Sequence, residues 1–307
     1  MAAIHNELEY INEWAQKDPL ALVEKSEARY RSIIESIAAR AAQVQGHKLI
    51  LLAGPSASGK TTTAHKIAQA LGAAGVNTHR ISLDDFYLPS AEIPLLPDGS
   101  RDLESIEALD LPLLRSTLQE LMGSGSGVLP AFDFTTGQRC EGKRIALEPE
   151  DMIVLEGLHA LNPLLTQTLG GIRPEQMTKV YISVASRIYA AQNEILLNKR
   201  SLRLVRRILR DAQFRKSKAE ETLAMWPAVT RGEEQWLTPC KPFADVLINS
   251  IHIYEPCVFR DRLLPLLAAI PSPGAARLAR SLEAFVPLPA SLAPPDSLLR
   301  EFLGADM

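Results

Sequence analysis

Apolar residues at Leu20, Val23, Ala28, Ile33, Ile34, Ile37 and Ala41 recur at helical spacing, which predicts an amphipathic helix over residues 18–44. Such a stripe can lie on a membrane surface, but packing on a core is its more usual fate. From residue 48 the pattern changes. Residues 48–53 form a short uninterrupted apolar run, as a strand buried on both faces requires. A Gly/Ser loop follows, then a helix with Ala64, Ile67, Ala68 and Leu71 inward and its end near Gly72. Residues 76–83 read as a second strand and the Pro-rich stretch 88–97 as a loop. A helix over 111–122 is stopped by the Gly/Ser run at 123–127, and 128–134 and 144–147 are short extended pieces. Residues 152–155, 179–184 and 246–248 read as further buried strands. Residues 188–215 read as one long arginine-rich helical stretch, and 298–303 as a short helix.

Helices placed between buried strands imply crossover connections, hence an α/β chain with a doubly wound, mostly parallel sheet. The divisions expected are an N-terminal helical extension at 1–46, a main domain at 47–270 and a Pro-rich tail at 271–307. Composition narrows the setting. The chain has 307 residues, 46% of them hydrophobic, enough for a large core. A net charge of −3 and a pI near 6.1 give no global attraction to nucleic acid or to an anionic membrane, so neither is expected as a partner. The apolar runs are too short to span a bilayer, and residues 1–10 have neither a basic segment nor an apolar signal core. Cys140, Cys240 and Cys257 are odd in number and show no ligand spacing, which points to inert thiols and a cytoplasmic chain.

The chemistry begins at Gly54-Pro55-Ser56-Ala57-Ser58-Gly59-Lys60-Thr61, which fits G-x-x-x-x-G-K-[ST]. The glycines let the backbone curl so that successive N–H groups face one concavity, and the following helix adds its N-terminal partial charge. Lys60 would reach the terminal phosphates of a nucleoside triphosphate, ATP foremost; Thr61 would offer a hydroxyl to Mg2+, and Thr62 continues the cradle. An ordinary Gly/Ser turn is the alternative, and the strand before and helix after argue against it.

Two further segments place acids beside this loop. Asp84 and Asp85 end the second strand, where ligands of open α/β sheets collect, and either could orient an acceptor hydroxyl and take its proton. A helix cap or a solvated turn is the competing use of the pair. Glu156 ends the apolar run 152–155, where an acid that organises Mg2+ belongs. His159 reads as a structural hydrogen-bonding residue. Farther along, Arg203, Arg206 and Arg210 stand at i, i+3 and i+7 with Arg215 beyond, while Arg207 and Asp211 form an i, i+4 pair on a neighbouring face. Guanidiniums with so little compensating acid suggest a mobile lid, at about 188–239, that closes over ATP. RNA binding is disfavoured by the missing aromatics and the acidic chain.

Taken in order, GPSASGKTT, ISLDDFY, DLESIEALDL, LPAFDF, MIVLEGLHAL, RLVRRILRD and FADVLIN resemble the uridine kinase and phosphoribulokinase-like family of P-loop kinases, and the uridine kinase-like nucleoside kinases among them. The resemblance runs from residue 48 to about residue 250. It implies transfer of the γ-phosphate of ATP to a hydroxyl of a small molecule, a nucleoside foremost. A sugar, polyol or pantothenate-like alcohol is an alternative acceptor, and a non-catalytic ATP-binding regulator an alternative role. It implies Asp84 as the catalytic aspartate, acting as base, with Lys60, Arg206 and Arg210 acting on the transferred group and Arg215 on the nucleotide. Metal is assigned to Thr61, Glu156 and Asp84, and the acceptor to Tyr87, Glu104, Phe132 and Arg139. A homo-oligomer is compatible with all of this. Two departures matter: Glu104 stands where the family holds the ribose with aspartate, and Phe132 and Gly137 replace the tyrosine and histidine that read a pyrimidine. The kinase chemistry therefore carries over, and base selection by polar contacts does not.

Overall fold

The computed structural model describes residues 4–43, 46, 48–167, 169 and 172–304. The expected helix end at Val44 and both chain ends lie outside the described residues. Two helices come first, α1 (Leu8–Lys17) and α2 (Pro19–Gln43), followed by strand β1 (Leu49–Ala53), helix α3 (Lys60–Ala73) and strand β2 (Thr78–Ser82). Helix α4 (Leu111–Ser124) leads into an antiparallel ribbon of β3 (Ser126–Asp133) and β4 (Gln138–Ala146). Strand β5 (Met152–Glu156), helix α5 (Pro163–Thr166) and strand β6 (Met177–Ser183) come next, then a small hairpin of β7 (Ile188–Tyr189) and β8 (Ile195–Leu197). Helices α6 (Lys199–Phe214) and α7 (Ala219–Gly232), strand β9 (Val246–Asn249), and helices α8 (Glu255–Ala268), α9 (Pro273–Glu283) and α10 (Arg300–Leu303) complete the order.

The central sheet runs β2-β5-β1-β6-β9 with every pairing parallel. This is the α/β parallel sheet that the strand pattern predicts. Strands β1 and β5 are buried at every position, which explains their unbroken apolar sequence. The chain leaves β1 first toward β2 and later returns to β6 on its other side. The crevice beyond the end of β1 is therefore the topological switch point, where such sheets bind ligands. Register brings Leu52, Ser82 and Glu156 level at that carboxyl edge. Ile50, Leu52, Val154 and Ile182 face one apolar layer with α2, α3, α6 and α8, while Leu51, Ile81, Ile153 and Leu155 face another with α4.

Two expectations change here. Residues 188–215 are not one helix: a β-hairpin occupies the first third, and α6 starts where the Asn198 side chain accepts hydrogen bonds from the N–H groups of Arg200 and Ser201. Nor is α6 a detached lid, because Leu202, Val205, Ile208 and Leu209 are buried in the main core. The Pro-rich segment from 271 is likewise packed structure. Pro273 opens α9 at its first turn behind a Ser272 cap, where a missing N–H costs nothing. Leu298, Leu299, Phe302 and Leu303 are each buried to within 1% and belong to the same cluster as α2 and α3. The N-terminal helices join this cluster as well: Tyr30 on α2 shares a 2.6 Å hydroxyl hydrogen bond with Thr63 of α3.

Candidate active site

The loop between β1 and α3 is shaped by close backbone approach. A Cβ at Gly54 would overlap the Ile182 carbonyl oxygen of β6, and Gly59 caps α3 with φ of +91°, a left-handed conformation that favours glycine. Ala57 also has positive φ, at 57°. The first turn of α3 thus opens toward the crevice with donors that its own carbonyls cannot satisfy. Lys60 folds back over the loop, Nζ donating to the Pro55 carbonyl at 3.2 Å.

The acids converge on this loop. Thr61 Oγ1 donates to Glu156 Oε1 at 3.3 Å, and Ser82 Oγ donates to the same oxygen at 3.1 Å. The Ser82 hydroxyl in turn accepts the Asp84 N–H at 3.3 Å, so one side chain ties both acids to the end of β2. Burial, reinforced by the neighbouring Asp84 charge, raises the Glu156 carboxyl above the ordinary range, with Lys60 and Ser82 pulling the other way. Asp84 lines the cavity, whereas Asp85, raised by burial, is hydrogen-bonded by the Phe132 backbone. Oxygen donors from Thr61, Glu156 and Asp84 suit a hard divalent cation such as Mg2+. Among the described residues no cluster of three His, Cys, Asp or Glu side chains could hold a metal ion by itself. Such an ion would complete its shell from phosphate oxygens and water.

A cavity of about 760 Å³ extends from the loop. Its wall carries residues Ser56 to Thr61, Asp84, Tyr87, Glu104, Glu156, Arg210 and Arg215 of the expected set. Gly54, Pro55, Thr62, Phe132, Arg139 and Arg206 lie off that wall.

The arginines divide in a way their sequence spacing does not reveal. Arg206 was expected to reach the transferred phosphate from a mobile lid; it is instead fully buried under the loop. Its Nε is 2.6 Å from Glu255 Oε2, and Nη1 donates to the Ala57 and Ser58 carbonyls at 3.4 Å. Arg203 is held by both oxygens of Glu233, at 2.7 and 2.6 Å. The compensating acids that the helix lacks are thus supplied by α8 and the end of α7. Arg207 takes the cavity position: it lines the wall with Arg210 and Arg215, and these three guanidiniums share the single acid Asp211. With Lys216 also on the wall, positive charge is in excess there.

Ser56 is gripped on every polar atom. Its N–H donates to Glu233 at 2.9 Å, its carbonyl accepts from Arg203 at 3.1 Å, and its hydroxyl accepts from Arg207 at 2.9 Å.

At the far end, the rings of Tyr87, Phe132 and Phe134 contact one another with centroids 5.0 to 5.8 Å apart. The Tyr87 hydroxyl donates to the Leu103 carbonyl at 2.7 Å and is thus occupied. Glu104, pushed up to about 7 by burial and by the charge of Glu233, faces the cavity while its carbonyl accepts from His159 Nε2 at 3.0 Å. His159 is itself pushed down to about 4 by burial, so it is a neutral brace. Arg139 pairs with Asp110 at 2.8 Å instead of entering the cavity. A side chain at Gly137 would collide with Ser90, and its φ is +66°, so no polar reader fits there.

Nothing in the sequence pattern singles out Ser82, Glu233, Phe134 or Glu301. Arg207 could have been found, since 203, 207 and 210 at i, i+4 and i+7 make an equally good face.

An open parallel sheet with a Gly-rich, lysine-bearing loop at its switch point and an arginine-lined wall defines a P-loop phosphate-binding protein of the kinase type. Residues 49–255 match the model of the phosphoribulokinase / uridine kinase family, and the chain belongs to that family. It is 29% identical over 203 residues to a uridine kinase of Lactobacillus johnsonii, covering 65% of this chain and 85% of that one. It is 28% identical over 211 residues to a uridine kinase of Deinococcus deserti, covering 68% and 91%. The solved structure of a "possible uridine kinase" from Bacillus stearothermophilus aligns at 19% identity and a TM-score of 0.46, covering 72% of this chain and 99% of that one.

Proposed function

We propose that the chain transfers the γ-phosphate of ATP to a hydroxyl of a small molecule, with a nucleoside as the leading acceptor. The observation that carries this reading is the shared cavity. Lys60 and the loop N–H groups stand at one side of it, Asp84 and Glu104 at another, and Arg207, Arg210 and Arg215 along its wall.

In this reading the loop amides and Lys60 hold the triphosphate, and Thr61 and Glu156 would hold Mg2+. The ion, when bound, neutralises charge on the phosphate oxygens. Asp84 orients the acceptor hydroxyl and takes its proton late, from a position fixed by the Ser82 cap. The arginines oppose the negative charge of the transferred group, and their surplus over Asp211 leaves them free to do so.

A second reading keeps the chemistry and takes a sugar or polyol. It is favoured by the occupied Tyr87 hydroxyl, the Arg139–Asp110 pair and the crowded Gly137, none of which offers a free polar group to discriminate a base. An ATP-consumption assay over nucleosides, sugars and polyols, with Lys60→Ala as the blank, separates the two. Stimulation by nucleosides supports the first, and stimulation by sugars or polyols alone supports the second. Tight ATP binding with no acceptor stimulating turnover would replace both with a regulatory role.

A further inference from the structure

The C-terminal helix α10 reaches the donor side of the cavity from outside the stretch that matches the family. Glu301 Oε2 accepts from Thr62 Oγ1 at 2.7 Å and sits 3.4 Å from Thr62 N, and Glu301 lines the cavity. Thr62 is the third residue of α3, so its N–H is one of the donors the helix leaves open. Together with the loop amides, this is where a helix start favours an anion. The anion at Thr62 is a carboxylate of the protein itself.

That carboxylate is not a loose surface group. Leu298 packs against Gly59 of the loop, the Phe302 ring lies 5.2 Å from the Arg206 guanidinium, and the Leu303 carbonyl accepts from Arg262 at 2.7 Å. The segment holding Glu301 is therefore fixed on three sides, against the loop, α6 and α8. Its charge is felt across the site, since it adds to the forces raising Glu156.

We infer that Glu301, on the cavity wall, is a built-in competitor beside the donor loop, setting nucleotide affinity by holding a negative charge at the start of α3 against the phosphates of the incoming triphosphate. The inference rests on the reading above that this loop binds ATP. A phosphate held by the loop and Lys60 would meet the like charge of Glu301 on the same wall, so nucleotide entry must displace the acid or bind against it. The C-terminal segment thereby tunes a site whose family elements end earlier in the chain.

The test is calorimetric titration of the full chain with MgATP, on wild type, Glu301→Gln, Glu301→Ala and Lys60→Ala, with Tm measured without nucleotide. Both Glu301 variants should bind MgATP about tenfold more tightly, as removing one like-charge contact would give, while Tm falls because Thr62 loses its partner. Affinity that is unchanged or weaker in both variants, with Tm lowered, would make Glu301 a structural brace and overturn the inference. Lys60→Ala separates the layers of the argument. If it binds MgATP as wild type does, the loop is not the donor site, and the inference falls with that reading. If it loses binding while the Glu301 variants fail to gain, only the inference falls.

Discussion

Arg206 Nε and Glu255 Oε2 meet at 2.6 Å in a place where neither side chain is more than 1% exposed, directly beneath the carbonyls of Ala57 and Ser58. This pair supports the loop from behind and does not touch the cavity. Arg206→Met should therefore act on stability, leaving Glu255 buried without its partner at a cost of about 3–5 kcal/mol. Denaturant unfolding should show the loss, and adding Glu255→Gln should recover part of it. A stable Arg206→Met protein with turnover reduced by orders of magnitude would return Arg206 to the transferred phosphate.

Arg210 makes the opposite case. It lines the cavity and shares Asp211 with two other arginines, so folding does not depend on it alone. Arg210→Ala should lower kcat/KM for the kinase reaction by about 10²–10³, the scale of one lost transition-state donor, with little change in Tm. Steady-state kinetics beside a melting curve checks both halves. Unchanged kinetics would remove Arg210 from the chemistry.

Asp84→Asn keeps the shape of the turn at Leu83–Phe86, since the Ser82 cap contacts the Asp84 backbone and not its carboxylate. The variant should bind MgATP within a few-fold of wild type and lose about 10²–10⁴ in kcat. Asp85→Asn, altering the acid that faces the Phe132 backbone, should leave far more activity. A reversal of these two outcomes would exchange their roles.

Acid sensitivity should arise away from the cavity. Burial alone would raise Glu27, but the His252 ring, Ser297 and Tyr254 outweigh it and hold the carboxyl at about 2, against an ordinary 4.5. A depressed carboxyl gives stability that is complete above the unfolded value. It is lost as pH falls from about 4.5 toward about 2, amounting to about 3 kcal/mol. Glu27→Gln should flatten this part of the stability–pH curve. An identical acid limb in the variant would assign the sensitivity elsewhere.

Which of these features the sequence discloses follows from how local each one is. The loop at Gly54 to Thr61, the acids Asp84 and Glu156, and the strands of the central sheet depend on short-range pattern, and they can be read directly. The long-range pairings cannot. Nothing near Arg206 announces Glu255 forty-nine residues on, and nothing near Ser56 announces Glu233. The helical reading of 188–198 failed because the pattern of α6 was extended backward past the Asn198 cap. The tail was misread because prolines that open helices look, without their partners, like prolines that prevent them.

The Tyr30–Thr63 hydroxyl contact and the Leu298–Gly59 contact grip the two sides of the α3 start, one from each end of the chain. Both ends lie beyond residues 49–255, so the stretch that carries the family pattern is not a self-sufficient piece. Cut out at those limits, it would present the apolar flank of α3 to water and leave Thr63 with the Gly59 carbonyl but without Tyr30. In any recombination or transplantation of this chain, the unit that must travel together includes its two ends.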